Sequence, residues 1–309
     1  VGNTWLEELP MTSLALAPAR DNQERSDDKA KALRLSIDQH LDVLAKAVDE
    51  VRASDTFKAY LDVQAKFHRY SWHNTLLILS QRASASRVAG FQTWKKLGRF
   101  VRKGERGIAI FAPCPFTKER ENATTGETET VSGMFFKVVH VFDVAQTDGE
   151  ELPNVDCPIV DADGAALLSA LVRVAEARGI VVAFQKLSGP FGHATDGGKA
   201  VAIDNTYPTG QQAKTLAHEL AHCAIHFGKT ERATRLTRDI AELEAESIAY
   251  VVCKHFGLDA EVRSSRYIAL WNGDSKALRD SLDRIATTAR ELIDDCQSAA
   301  NSAVKAVAA

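Results

Sequence analysis

The sequence predicts an α+β chain in two domains, and three features carry that expectation. Helical periodicity dominates both ends. Strand-like runs flank a polar, Thr- and Glu-rich segment in the first half. A stretch rich in Gly, Pro and acids, "AQTDGEELPNVDCP", then falls near residue 150, where a linker is expected. With 309 residues, 45% of them hydrophobic and 26% charged, the chain has enough apolar material for two cores. The expected division sets residues 1–26 aside as disordered or upstream sequence, with Met11 offering a natural start. It places a helical, small-sheet domain over 27–150, a second domain over 151–300 and a tail over 301–309.

Taken in order, apolar positions Leu33, Ile37, Leu41, Leu44, Val48 and Val51 recur every three or four residues behind the acidic "SDD", which marks an amphipathic helix. Further helices are expected over 55–67 and over "WHNTLLILSQR" after Ser71. "GFQTWKKLG" gives a short helix closed by Gly98, "RKGERGIAIFAP" a turn into a strand, and "MFFKVVHVFDV" its return, with 115–133 as an exposed loop between them. The second half reads as a helix over 161–178, strand "GIVVAFQ", a Gly-rich loop, strand "KAVAID", and then helices to the end.

Five scattered cysteines, Cys114, Cys157, Cys223, Cys253 and Cys296, form no CxxC pair, so they read as reduced thiols. No apolar run approaches the roughly 18 residues of a membrane span and no signal peptide is visible. A cytoplasmic protein without a membrane partner is expected.

The segment "TLAHELAHCAIHF" carries an HExxH pattern. On a helix His218 and His222 share one face, so both imidazoles reach one ion, and Glu219 stands beside them as a general base over a bound water. Such a site needs a third protein ligand. The HExxHxxGxxH arrangement fails because position 225 is Ile and position 228 is Gly, and His226, on the same helix, is expected to point past the ion. In "DIAELEAESIAYVVCKHFG", Ile240, Leu243, Ile248, Val251 and Val252 form an apolar face with Glu244 in its middle. Glu242 and Glu246 project to the opposite side. A carboxylate in an apolar face needs a partner, either a metal or a cation pairing two helices. Glu244 is therefore the expected third ligand, with Glu246 as the fallback.

"TLAHELAH" followed by "ELEAESIAYVV" resembles the gluzincin-type metallopeptidase domain of the ImmA/IrrE group and of the antirestriction ArdC family. The resemblance implies His218 and His222 as ligands, Glu219 as base and Glu244 as third ligand, for zinc or alternatively manganese. It also implies "KAVAID" as the edge strand lining a substrate cleft. Ala221 departs from the HELGH of many relatives, and Tyr250, His255 and Tyr267 are the nominal candidates for stabilising an oxyanion.

Between residues 57 and 107 eleven Lys and Arg residues face only Asp62 and Glu105, interleaved with Phe57, Tyr60, Phe67, Tyr70, Trp72, Phe91, Trp94 and Phe100. Cations for phosphates and aromatic faces for bases are what a single-stranded nucleic acid groove requires. Phe91 and Trp94 have the spacing of core anchors. The run "GFQTWKKLGRFVRKGERGIAI", within a likeness covering about residues 55–150, resembles the N-terminal single-stranded DNA-binding domain of the ArdC family. The expected DNA contacts are Arg69, Lys95, Lys96, Arg99, Arg102, Lys103 and Arg106, with Trp72 stacking.

The resulting expectation is a single-stranded DNA-binding antirestriction protein of a mobile element, with a gluzincin-like metallopeptidase domain. Its rivals are an active zinc protease that cleaves a cytosolic regulatory protein or peptide, and a DNA-coating protein whose metal is only structural.

Overall fold

The computed structural model describes residues 22–45, 50–121, 128–152, 163–227, 237–259 and 274–307. The elements run α1 (Asn22–Ala45), α2 (Glu50–Lys66), α3 (Trp72–Gln81), β1 (Val88–Gly90), α4 (Phe91–Lys96), β2 (Arg99–Val101), β3 (Ile108–Glu121), β4 (Thr128–Asp143) and β5 (Thr147–Gly149). They continue with α5 (Ala165–Ala177), β6 (Val181–Gln185), β7 (Gly192–Thr195), β8 (Ala200–Asp204), α6 (Thr209–Ile225), α7 (Arg238–His255) and α8 (Ser275–Val307). This is the expected α+β class in two compact units. Their division differs from a single cut near 150. One unit takes residues up to Gln39 together with Leu76–Leu152, and the other takes His40–Thr75 together with Pro153–Ala309. The second unit captures α2 because its aromatic face needs a core. Phe57, Tyr60 and Leu61 are buried, the Tyr250 hydroxyl of α7 donates to Asp62, and His255 lies 2.9 Å from the Ala65 carbonyl.

The first unit is built on an antiparallel sheet of order β1-β4-β3 and a two-stranded ribbon of β2 with β5. β3 and β4 pair from Ile108↔Val141 to Glu121↔Thr128, so the strands extend well into the segment expected as a loop. Its β-branched threonines tolerate extended backbone, and a hairpin wetted on both faces needs no apolar alternation. Where the linker was expected, Val144–Gln146 form a short 3-10 turn and β5 follows. Buried Asp143 fixes that turn, accepting from the amides of Ser86 at 2.8 Å, Arg87 at 3.1 Å and Ala145 at 3.1 Å. Trp94 is buried and its indole donates to the Phe142 carbonyl at 2.8 Å, which ties α4 to the sheet. The main chain leaves α4 through Gly98, whose φ of +71° is a left-handed conformation suited to glycine.

In the second unit a three-stranded sheet of order β6-β8-β7, with β6 parallel and β7 antiparallel to β8, packs against helices α5 and α6. "KAVAID" is thus the central strand, and β7 is an edge. The core joins Leu167 and Leu171 of α5, Leu216 and Leu220 of α6, Ile248 and Val252 of α7, and Leu282, Ile285, Leu292 and Ile293 of α8. Alanines at 213, 217 and 221 on α6 and at 245 and 249 on α7 are fully buried, and such small side chains let backbones approach closely. Residues 301–307, expected as a tail, continue α8. Among the described residues, no helix is long and apolar enough to cross a membrane.

One buried group makes this core acid-sensitive. His68 is pushed down from 6.5 to about 4 by burial and by His255, with Arg69 and Arg290 adding to the effect and Asp294 opposing it. The folded state favours neutral His68, so its contribution is complete above about pH 6.5 and is lost as pH falls towards 4. His68→Phe is expected to flatten that fall by up to about 3 kcal/mol, at 1.36 kcal/mol per unit. Urea unfolding of both proteins between pH 7.5 and 4.5 measures it.

Candidate metal centre

Helix α6 presents His218 and His222 one turn apart, with their Nε2 atoms 3.1 Å from each other. The carboxylate that meets them comes from α7 and is Glu242, whose Oε2 lies 3.4 Å from His218 Nε2 and 3.6 Å from His222 Nε2. One ligand atom from each of these three residues falls within 4.8 Å of the others. Two imidazole nitrogens and a carboxylate oxygen facing an open cleft are chemically fit to hold a divalent cation with one position left free. The electrostatics favour a positive charge there. Burial works to lower His218, yet Glu242 and Glu246 more than offset it and draw it up to about 9. The imidazoles of His218 and His222 beside it hold Glu242 well below the ordinary carboxylate range.

Glu244, the expected third ligand, stands elsewhere. It is fully buried, with Oε1 accepting from Ser281 Oγ and Arg284 Nη2, both at 2.6 Å, and Oε2 accepting from Arg284 Nε at 2.9 Å. Its other neighbour is His226, at 3.2 Å. The apolar face of α7 turns to α8, and Glu244 takes the helix-pairing role. The face bearing Glu242 and Glu246 turns to α6, with Glu242 half exposed at the rim. Glu246, the fallback, sits behind His218, with its Oε2 3.5 Å from Nδ1 and its Oε1 accepting from Lys214 Nζ at 2.7 Å. Burial works to raise Glu246, but the bonds from His218 and Lys214 bring it to about 2.

Glu219 is buried at the same cleft, and burial raises its carboxyl above the ordinary value against the pull of His218 and His222. It accepts a backbone hydrogen bond from Ala194 of β7. The cleft encloses about 560 Å³ between β7, α6 and α7, with Gly192, His193 and Ala194 on one side and Arg238 on the other. β7, not "KAVAID", is therefore the strand along the cleft. The nominal oxyanion groups do not line it: Tyr250 is buried against Asp62, and His255 is taken up by Ala65 and Gln297. Tyr267 lies outside the described residues. Sequence reading placed Glu242 on the opposite side of α7 and passed over Lys214 and Arg284; Lys214 stands four residues before His218, a helical spacing that puts both on the face that meets Glu246.

The expected DNA contacts divide. Trp72 is buried to 2% exposure and stacks on His73 at 3.6 Å, so it offers no face to a base. Arg99 spends its guanidinium on Thr147, Gly149 and Glu150, and Arg102 on Glu105, Asp148 and Ala145. Both staple β5 into place. Arg69 belongs to the second unit and is exposed, 3.9 Å from Asp294. Lys95, Lys96, Lys103 and Arg106 are exposed and form no ion pair among the described residues. Phe91, expected in the core, is 51% exposed, and Phe100 is 58% exposed.

Comparison with known proteins bears on both halves. Residues 40–142 match the N-terminal domain of anti-restriction factor ArdC, and residues 175–270 match the IrrE N-terminal-like domain of the M78 peptidase group. The two matches give the chain an ArdC-type N-terminal domain followed by an IrrE-like domain. The crystal structure of antirestriction protein ArdC from plasmid R388, in its metal-free form, shares the fold: TM-score 0.50 and 24% identity, over 75% of this chain and 86% of that one. An uncharacterized protein of Bacillus anthracis is 28% identical over 272 residues, spanning 74% of this chain and 46% of the relative. The chain thus matches about half the length of that relative.

The close seat of β7 on α6 depends on Gly192. A Cβ there would stand 2.6 Å from Thr215 Cγ2 and 3.0 Å from the Ala202 carbonyl oxygen. Gly192→Ala is expected to cost about 1–3 kcal/mol by overpacking and to loosen the Ala194 contact to Glu219. Chemical denaturation of the purified variant measures that cost.

Proposed function

We infer that this protein is a single-stranded DNA-binding antirestriction factor whose second unit carries a divalent metal site of the peptidase type. The observation that carries the reading is the convergence of His218, His222 and Glu242 beside buried Glu219 in an open cleft. When bound, zinc or manganese would supply Lewis acidity, acidifying a water and polarising a carbonyl. The residues account for the rest. Glu219, raised by burial, is suited to take a proton from that water and return it to a leaving amine. The free edge of β7 can align an extended peptide beside the base, and Ala194 orients the Glu219 carboxylate.

The DNA reading rests on the first unit. Lys95, Lys96, Lys103 and Arg106 remain available to phosphates, and exposed Phe91 and Phe100 replace Trp72 as stacking faces. The stapled guanidiniums of Arg99 and Arg102 shape this surface more than they serve it.

Two measurements test the pair of assignments. Glu219→Ala should retain the metal, because both imidazoles remain, and should abolish peptide hydrolysis; equal protection of incoming DNA by the variant would remove proteolysis from the antirestriction role. For DNA, the slope of log affinity for single strands against log salt should shrink by about 0.7 for each of Lys95, Lys96, Lys103 and Arg106 changed to Gln. Unchanged slopes, or equal binding of duplex, would overturn the surface assignment.

A further inference from the structure

Beyond the ligand set, the structure holds a second line of side chains that the proposed chemistry leaves unexplained. His226 caps α6 one turn after His222, and its side chain is only 8% exposed. Its Nδ1 lies 2.8 Å from His222 Nδ1, and its Nε2 lies 3.2 Å from Glu244 Oε2. Glu244 is in turn gripped by Arg284 and Ser281. A chain of contacts therefore runs from the α7–α8 ion pair to the back of a candidate metal ligand.

Hydrogen-bonding capacity sets the direction of this chain. An ionised carboxylate only accepts, so the proton between His226 and Glu244 belongs to His226 Nε2. Arg284 already balances the charge of Glu244, and a neutral His226 then carries no proton on Nδ1. The 2.8 Å contact must be filled by the Nδ1–H of His222. That leaves the lone pair of His222 on Nε2, the atom that faces His218 Nε2 and Glu242. On the other side, Glu246 and Lys214 do the same for His218 through its Nδ1.

We propose that His226 and Glu244 are positioning residues, a two-step relay from Arg284 that fixes the Nδ1-protonated tautomer and the ring orientation of His222 so that its Nε2 is presented to a cation. This rests on the metal reading of the cleft. It gives Glu244 a part in the site without contact with the ion. Outer hydrogen bonds of this kind set ligand orientation and basicity in metal sites, and their loss typically weakens metal binding about 10- to 100-fold.

The full-length chain tests the relay with zinc as the probe, its affinity read by competition with a chromophoric chelator. His226→Phe keeps a ring in place and removes both hydrogen bonds. His226→Gln keeps a donor for Glu244 and an acceptor for His222. The Phe variant is expected to bind zinc about 10- to 100-fold more weakly, and the Gln variant to recover most of that loss. Thermal unfolding of the metal-free proteins separates any general loss of folding. Equal affinity of wild type and the Phe variant, or equal weakening by Phe and Gln, would overturn the relay.

A second measurement requires no variant. In the 15N-histidine spectrum of the wild type, His222 should be protonated at Nδ1 and His226 at Nε2, and the opposite assignment rejects the proposal. If the wild type binds neither zinc nor manganese, the metal reading fails first and the relay falls with it.

Discussion

The second unit depends on the burial of α7 between α6 and α8. A helix with partners on two sides leaves little solvent face for its charges, so the acids that turn inward must be matched by donors. Glu244 meets Arg284 and Ser281 of α8, Glu246 meets Lys214 of α6, and Glu242 meets the paired imidazoles. Three carboxylates within five positions thus take three separate parts. One pins helices together, one braces a histidine, and one completes a cluster whose remaining coordination is open.

The first unit shows the same economy with the opposite charge. Its arginines form forked bonds to backbone and hold irregular structure where a turn must become a strand, as Arg99 does for β5. Its lysines, which lack that planar fork, stay in water. A positively charged stretch of sequence therefore separates into architectural guanidiniums, Arg99 and Arg102, and exposed cations, Lys95, Lys96, Lys103 and Arg106. Charge density alone overstates the surface available to a polyanion.

Much of this was legible in the sequence, and what was missed shares one cause. The helices, the hairpin partners and the HExxH face follow from local periodicity and spacing, and the order of the two domains from the family resemblance. The third carboxylate did not, because placing Glu244 in the middle of an apolar face showed correctly that it is buried but not what it is buried against. Glu242 was assigned to the far side of the helix, which is correct, and the far side proved to be another interface. Trp72 misled for a related reason: an aromatic among cations looks like a stacking platform until the core that claims it is known. The long hairpin was shortened in the reading because its Thr and Glu content resembles a loop, whereas cross-strand pairing sustains it without burial.

Exposure within the metal cluster is uneven. The side chains of His218 and His222 are 19% and 13% exposed, while that of Glu242 is 50% exposed. Two of the three donors are thus set in the protein wall before any ion arrives, and the third is still half hydrated. An entering cation can exchange its own water for nitrogen first and meet the carboxylate last, at the rim. For a bound ion the fixed pair would set its place, and the wet partner would be the ligand most easily replaced by water. A centre built this way would exchange with the surrounding pool of metal, so that its occupant would follow supply as well as ligand chemistry.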